Sequence, residues 1–282
     1  MTRPARTGLT GRGDLRRDLA ALGLRAGDTV LVHASLRALG WVHGGAATVV
    51  RALLDVLGPA GTIVVPAQTT GNTDPSRWGA IGLASVPESR WPDLRDHLPS
   101  FDPARTPSSG MGAVAEAVRA WPGAARSAHP RTSFAALGAR GSDLTAGHEL
   151  GCQLGEASPL ARLEEVDGKI LLLGVGFDVC TAFHLAEYRL PDPPRRRYSC
   201  VVATPAGRQW VSYADVALDA GDFAELGSCL EATGGVRRGP AGAGTGRLLR
   251  VRTAVEFART WLAGHRVESG AFNHQGTYTS RT

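Results

Sequence analysis

Apolar positions along this chain follow two rhythms, and each predicts a different element. Leu15, Leu19 and Leu22 recur at the three-to-four-residue interval of a helix face, and Gly23 stops the run. Residues 29–33 (TVLVH) form a short apolar run of the strand type. Residues 46–57 (AATVVRALLDVL) return to helical spacing and close at Gly58-Pro59, and residues 61–66 (GTIVVP) read as the next strand. Strand, helix, strand in that order predicts a crossover connection and a partly parallel sheet. Further on, residues 111–120 predict a helix halted at Trp121-Pro122-Gly123. Ser158-Pro159 opens another, PLARLEEV, with proline in its first turn. Residues 170–175 read as a buried strand bounded by glycine on both sides. Residues 198–203 and 208–213 flank the turn ATPAG and predict a β-hairpin. Residues 219–231 and 251–263 predict helices, the latter closing the fold, and the glycine-rich stretch 234–247 (GGVRRGPAGAGTGR) reads as a loop. The pattern predicts an α/β fold, a mixed, partly parallel sheet flanked by helices, in a single domain over residues 1–282.

One region breaks the rhythm. Residues 67–110 hold Pro75, Pro87, Pro92, Pro99, Pro103 and Pro107 together with Trp78 and Trp91. A long irregular connection inside a compact domain is uncommon and is often a binding loop, so this segment reads as a lid-like insertion.

Composition narrows the function classes. The formal net charge is +5, from 31 Lys+Arg against 26 Asp+Glu, and Lys169 is the only lysine. The densest basic run, Arg195-Arg196-Arg197, sits in a proline-rich stretch without interleaved aromatics, so charge alone does not argue for nucleic acid. An anionic ligand fits the balance equally well. Cys152, Cys180, Cys200 and Cys229 include no CxxC pair, which argues against zinc or any other metal and for free thiols in a reducing compartment. The first residues, MTRPARTGLTGRGD, contain no apolar signal core, and no run approaches a membrane span; the expectation is a cytoplasmic protein without a membrane partner.

The densest chemistry lies at residues 168–191, GKILLLGVGFDVCTAFHLAEYRLP. An apolar strand ends, a short loop carries Asp178 and Thr181, and a predicted helical segment carries His184 and Glu187 three residues apart, on one face. Ligands of α/β proteins gather beyond the carboxyl ends of the strands. A histidine there beside a carboxylate is a candidate general base near neutral pH. The alternative is a histidine that merely satisfies a core. Cys180, in the same loop, is the candidate for nucleophilic catalysis.

Four motifs in order carry a resemblance over about residues 10–263: LVHASLRALG (31–40), RSAHPRTSFAALG (126–138), LGEASPLARL (154–163) with KILLLGVGFDVCTAFHLAE (169–187), and RQWVSYADV (208–216). Together they are similar to the aminoglycoside 3-N-acetyltransferase family, whose α/β fold differs from that of the GCN5-related acetyltransferases. The resemblance implies an acetyl-CoA-dependent N-acetyltransferase acting on a cationic amine, the 3-amino group of an aminoglycoside antibiotic, without a metal. It implies His184 as the catalytic histidine and Asp215 as its acidic partner, one methylene shorter than the frequent glutamate. Glu187 is the other conspicuous carboxylate, and Thr181 is expected beside the acetyl thioester. It implies His33, Ser35 and Leu36 along the pantetheine arm, Met111 and Gly112 at a glycine-opened helix start lining the cofactor cleft, and Arg126 and Ser127 near the CoA phosphates. Without the motif, Arg126 reads equally as a surface ion pair, and His129 reads as a structural buttress.

For a polycationic acceptor, Asp74, Glu88, Asp93, Asp96 and Asp102 in the predicted lid, with Asp215, Asp219 and Asp222, are the acidic candidates. Two further readings remain open: the same chemistry on another amine, and a CoA-binding protein without turnover. Monomer and homodimer are equally compatible with the sequence.

Overall fold

Strands β1 (Thr29–Ala34), β2 (Thr62–Pro66) and β5 (Lys169–Leu173) are almost wholly apolar, and pairing them side by side leaves both faces of the resulting sheet requiring cover. The computed structural model describes residues 9–78 and 86–268, apart from the side chains of residues 77, 267 and 268, and shows how that cover is arranged. A seven-stranded sheet runs in the order β3-β4-β2-β1-β5-β9-β8, where β3 is Ala125–Arg126, β4 Phe134–Gly138, β8 Arg237–Ala241 and β9 Gly244–Arg250. Strand β1 is parallel to both neighbours, β2 and β5, and all outer pairings are antiparallel. The mixed, partly parallel sheet flanked by helices is thus observed.

Successive strand residues alternate between two cores, as the pleat requires. Leu31, Ile170 and Leu172 face a layer that includes α6 (Pro159–Glu165), α7 (Phe183–Tyr188), α8 (Phe223–Ala232) and α9 (Val251–Glu268). Val30, Val32, Leu171 and Leu173 face α1 (Arg12–Leu22), α2 (Gly45–Leu57) and α4 (Gly112–Arg119). At the entry of the central pair, the Lys169 ammonium meets the Asp28 carboxylate at 2.6 Å. Two short helices complete the set among the described residues, α3 (Trp91–His97) and α5 (Gly141–Thr145).

Two expectations require correction. The stretch 234–247 is not a loop: it forms β8 and β9, paired Arg237↔Leu248 to Ala241↔Gly244, and β9 continues the sheet beside β5. Its glycines obscured the strand pattern, and Gly242 (φ 58°) makes the tight turn between the strands. The hairpin is also longer than its apolar stretches suggest, β6 (Arg195–Thr204) pairing with β7 (Gly207–Val216) along ten residues each.

The proline-rich segment docks on this hairpin. The Val201 N–H donates to the Asn72 carbonyl at 2.8 Å and the Asp74 N–H to the Ser199 carbonyl at 3.2 Å. Arg208 Nε reaches the Leu98 carbonyl at 2.7 Å, and Arg95 lies over the Trp210 ring at 5.5 Å. The central part of the expected lid, residues 79–85, and residues 1–8 of the amino-terminal stretch lie outside the described residues.

Gly227 lets α8 lie directly on the turn after β5: a Cβ there would stand 2.0 Å from the Phe177 ring. Gly227→Ala is expected to lower stability by about 1–3 kcal/mol through overpacking, read as a lower urea midpoint; an unchanged midpoint would show that the turn can retreat.

Candidate active site

The parallel strands β1 and β5 end together, with Ala34 opposite Leu173, so the loops beyond them leave the sheet on the same side. Gly174 has φ 67°, and a Cβ there would lie 2.7 Å from that of Ala38, so glycine is what allows the two loops to touch. The chain then makes a 3₁₀ turn, Phe177–Val179, and enters α7 with His184 in its first turn. On the opposite side Gly112 (φ 84°) brings the start of α4 against the Ala34 carbonyl.

These three loops enclose a cavity of about 450 Å³. His33, Ser35, Met111, Gly112, Thr181 and His184 line it, and so six of the eleven residues expected from sequence come together here. Asp178, Val179, Cys180, Gln68 and Phe223 also contribute. His184 Nδ1 lies 2.6 Å from Glu187 Oε2, and the imidazole packs on the Phe223 ring with centroids 4.7 Å apart. With Nδ1 committed to the carboxylate, Nε2 is the nitrogen offered to the cavity, and the carboxylate fixes the tautomer. Glu187 is buried, and its second oxygen accepts from Arg266 Nη1 at 2.5 Å and from the Asp219 N–H at 3.0 Å.

His33 is buried in the cavity wall and its Nε2 has no hydrogen-bond partner among the described residues. Burial lowers its pKa to about 4, so it is neutral near pH 7. Thr181 is also buried and, among the described residues, its hydroxyl is uncommitted and Ser35 Oγ accepts only a 3.3 Å bond from the Ala38 N–H. Cys180 is fully buried, which pushes its thiol up to about 12 and leaves almost no thiolate near pH 7; this disfavours the nucleophile reading.

The other expected residues lie elsewhere. Asp215 does not stand behind His184. One of its carboxylate oxygens accepts from the Gln153 N–H at 2.7 Å and the Tyr188 hydroxyl at 2.8 Å, the other from the Val216 N–H at 2.8 Å. It anchors the hairpin to the back of α7. Burial, followed by the negative charge of Asp215, raises the Tyr188 pKa, so that hydroxyl stays a donor. Arg126 does not line the cavity: it ties down the proline-rich segment, donating to the Ala67 carbonyl at 2.5 Å and to the carbonyls of Thr106 and Pro103, with its guanidinium over Phe101. Ser127 is wholly buried, its Oγ bridging His148 Nδ1 and the Phe134 N–H, each at 2.9 Å. Leu36 is half-buried against the core under α2 and α4.

Among the described residues the anticipated acidic wall does not line this cavity. Among its lining residues only Asp178 is a carboxylate, and it is exposed and has no partner among the described residues. Sequence reading noticed Asp178 but gave it no role. It did not single out Phe223, which lies inside the predicted helix 219–231, or Arg266, which lies beyond the predicted end of the last helix.

Comparison with known proteins identifies the family. The sequence profile of the aminoglycoside 3-N-acetyltransferase family matches residues 31–263. The chain belongs to that family. It is 40% identical over 246 residues to the SPbeta prophage-derived aminoglycoside N(3')-acetyltransferase-like protein YokD of Bacillus subtilis, covering 87% of this chain and 89% of that one. It is 38% identical over 270 residues to aminoglycoside N(3)-acetyltransferase VII of Streptomyces paromomycinus, covering 89% and 91%. The YokD crystal structure superposes with a TM-score of 0.89, covering 93% of this chain and 96% of that one. The structure of AAC-IIIb bound to CoASH superposes with a TM-score of 0.80 at 34% identity, covering 92% and 98%. Among the described residues no group of three or more His, Cys, Asp or Glu is arranged to hold a metal, and no helix is long and apolar enough to cross a membrane.

Three buried histidines make the fold acid-sensitive. Burial lowers His33 to about 4. It lowers His129 to about 3, with the adjacent His148 contributing, and His148 to about 4. Each binds a proton more readily unfolded, near 6.5, than folded. Stability is therefore full above about pH 6.5 and falls as pH drops toward 4, by on the order of 4 kcal/mol per pH unit where all three differ in protonation. Urea midpoints measured from pH 7.5 to 5 should fall; constant midpoints would mean these rings bind protons in the folded state.

Proposed function

We propose that this protein transfers the acetyl group of acetyl-CoA to the 3-amino group of an aminoglycoside by direct attack, with His184 as general base. The observation that carries the reading is the 2.6 Å His184–Glu187 pair facing a cavity bounded by Ser35, Thr181 and the start of α4. The family membership and the CoASH complex of AAC-IIIb support both the donor and the acceptor class. A cavity with one glycine-opened wall and a buried, unpartnered His33 Nε2 fits a long, slim group carrying amides and a thioester.

Acetyl-CoA supplies a thioester carbonyl activated toward amines. An ammonium group is no nucleophile near pH 7, so the acceptor attacks as the neutral amine left after one proton is lost to water, and a base takes the second proton as the C–N bond forms. His184 Nε2 takes that proton, Glu187 stabilises the imidazolium that forms, and the same nitrogen returns the proton to the departing sulfur. The Thr181 and Ser35 hydroxyls are the side-chain donors available for the charge that develops on the carbonyl oxygen. Asp178, at the cavity mouth, supplies a carboxylate for an acceptor ammonium. Since it is the sole carboxylate lining this cavity among the described residues, a second reading keeps the chemistry and takes an amine with fewer cationic groups.

Thiol release from acetyl-CoA, followed with a thiol reagent across aminoglycosides with and without a free 3-amine and across simple monoamines, separates these readings. Turnover confined to antibiotics bearing that amine supports the first, and turnover only with monoamines replaces it with the second. His184→Ala should lower kcat by two or more orders of magnitude with an unchanged melting temperature; retained activity removes His184 as the base. Asp178→Asn should raise the acceptor KM several-fold and leave the KM for acetyl-CoA alone; an unchanged acceptor KM removes Asp178 from acceptor binding.

A further inference from the structure

We infer that Arg266, on the last helix, is a positioning residue that sets the proton affinity of the His184–Glu187 pair; this rests on reading His184 as the base. Glu187 is almost completely buried between two cationic or potentially cationic groups. One oxygen meets His184 Nδ1 at 2.6 Å and the other Arg266 Nη1 at 2.5 Å. Arg266 is in turn held by Asp222, with Nε and Nη2 each 2.8 Å from a carboxylate oxygen, and by the Asp219 carbonyl at 2.7 Å. The arrangement is a four-member chain: imidazole, carboxylate, guanidinium, carboxylate.

Charge accounting gives the chain its consequence. With Arg266 present and the imidazole neutral, Glu187 is already partnered, so its demand for a proton on His184 is moderated. Without Arg266, a buried carboxylate would have the imidazolium as its only cationic partner, and the pair would bind a proton more tightly. Arg266 thereby keeps His184 unprotonated, and able to accept a proton, at lower pH. Asp222 acts in the opposite sense by drawing part of the guanidinium charge away from Glu187.

The other groups around His184 do not substitute for Arg266. Asp178, Cys180 and Thr181 precede it in the loop, and His33 faces the cavity from β1. Phe223 packs on the ring, and Asp219 and Asp222 lie on the segment leading into α8. The Asp215–Tyr188 bond lies behind α7. Among the described residues Arg266 is the cation that touches Glu187. Burial opposes its charge, but Asp222 and Glu187 outweigh burial and raise its pKa, so it remains a guanidinium throughout the working range. It lies three residues beyond the last residue matched by the family profile.

The test is an NMR titration of the His184 imidazole in the full-length protein, with the resonance assigned by its loss in His184→Asn. Arg266→Gln should raise the midpoint by about one pH unit, a tenfold gain in proton affinity. Arg266→Lys should return most of that shift, and Asp222→Asn should lower the midpoint below that of the wild type. The acidic limb of kcat/KM should move with the midpoint, while the KM for acetyl-CoA stays constant. A wild-type midpoint in Arg266→Gln would overturn the inference. If Arg266→Gln does not fold, Asp222→Asn decides: a downward shift supports the inference and no shift overturns it. Because the titration needs no turnover, retained activity in His184→Ala would refute the base assignment while the midpoints still judge Arg266.

Discussion

The parallel pairing of β1 with β5 at the centre of the sheet governs most of this architecture. Both strands are apolar on successive residues, so neither face of the sheet can remain in water, and helices have to cover both. Because the two strands point the same way and end in register, Ala34 beside Leu173, the loops beyond them emerge at one edge. That edge is where Ser35 and Thr181 come within one cavity, although they are far apart in sequence. An antiparallel pair would have sent the two loops to opposite ends. Gly174 and Gly112 then allow the backbones around the cavity to approach closely.

Within that frame a second constraint operates, the burial of Glu187. A carboxylate excluded from water needs partners for both oxygens, and an unpaired one would be costly. The chain supplies His184 from the same helix and Arg266 from the closing helix, far along the chain. The same contact that orients the imidazole also fastens α9 onto α7, so the closing helix is joined both to the core and to the site. Asp215 does comparable work from the other direction, tying β7 to Tyr188. Helix α7 is therefore held from both sides by buried carboxylates.

How much of this was legible in the sequence depends on the range of each interaction. The central strands and most long helices were readable because apolar periodicity reports local burial. The strand-loop-helix carrying His184 was readable because strand, turn and histidine are close neighbours along the chain. Strands β8 and β9 were not, because glycine and proline masked a pairing that depends on β5 already being in place. The choice between Glu187 and Asp215 was open in sequence, since both carboxylates are compatible with a histidine partner; only the fold shows that Asp215 is committed to Gln153, Tyr188 and Val216. The surroundings of Arg126 and Ser127 were hidden for a similar reason. A motif gives their position in the chain but not that Arg126 turns inward to carbonyls of a neighbouring segment.

The same distinction bears on the electrostatics of the acceptor. Counting acidic residues in the proline-rich segment suggests a negatively charged cover for a cationic substrate. The structure pairs several of them with arginines of that same segment: Asp74 with Arg95 and Asp93 with Arg90, each at 3.2 Å. Such pairs contribute little field at a distance, because their charges cancel and the surrounding water screens them. Asp222 is likewise occupied by Arg266. Asp178, by contrast, lines the cavity and has no partner among the described residues. Among the described residues the rest of the cavity lining is polar or apolar, with Gln68, Ser35 and Thr181 beside Val32, Pro66 and Val175, so the number of carboxylates in the neighbouring sequence is a poor guide to the charge of the cavity itself.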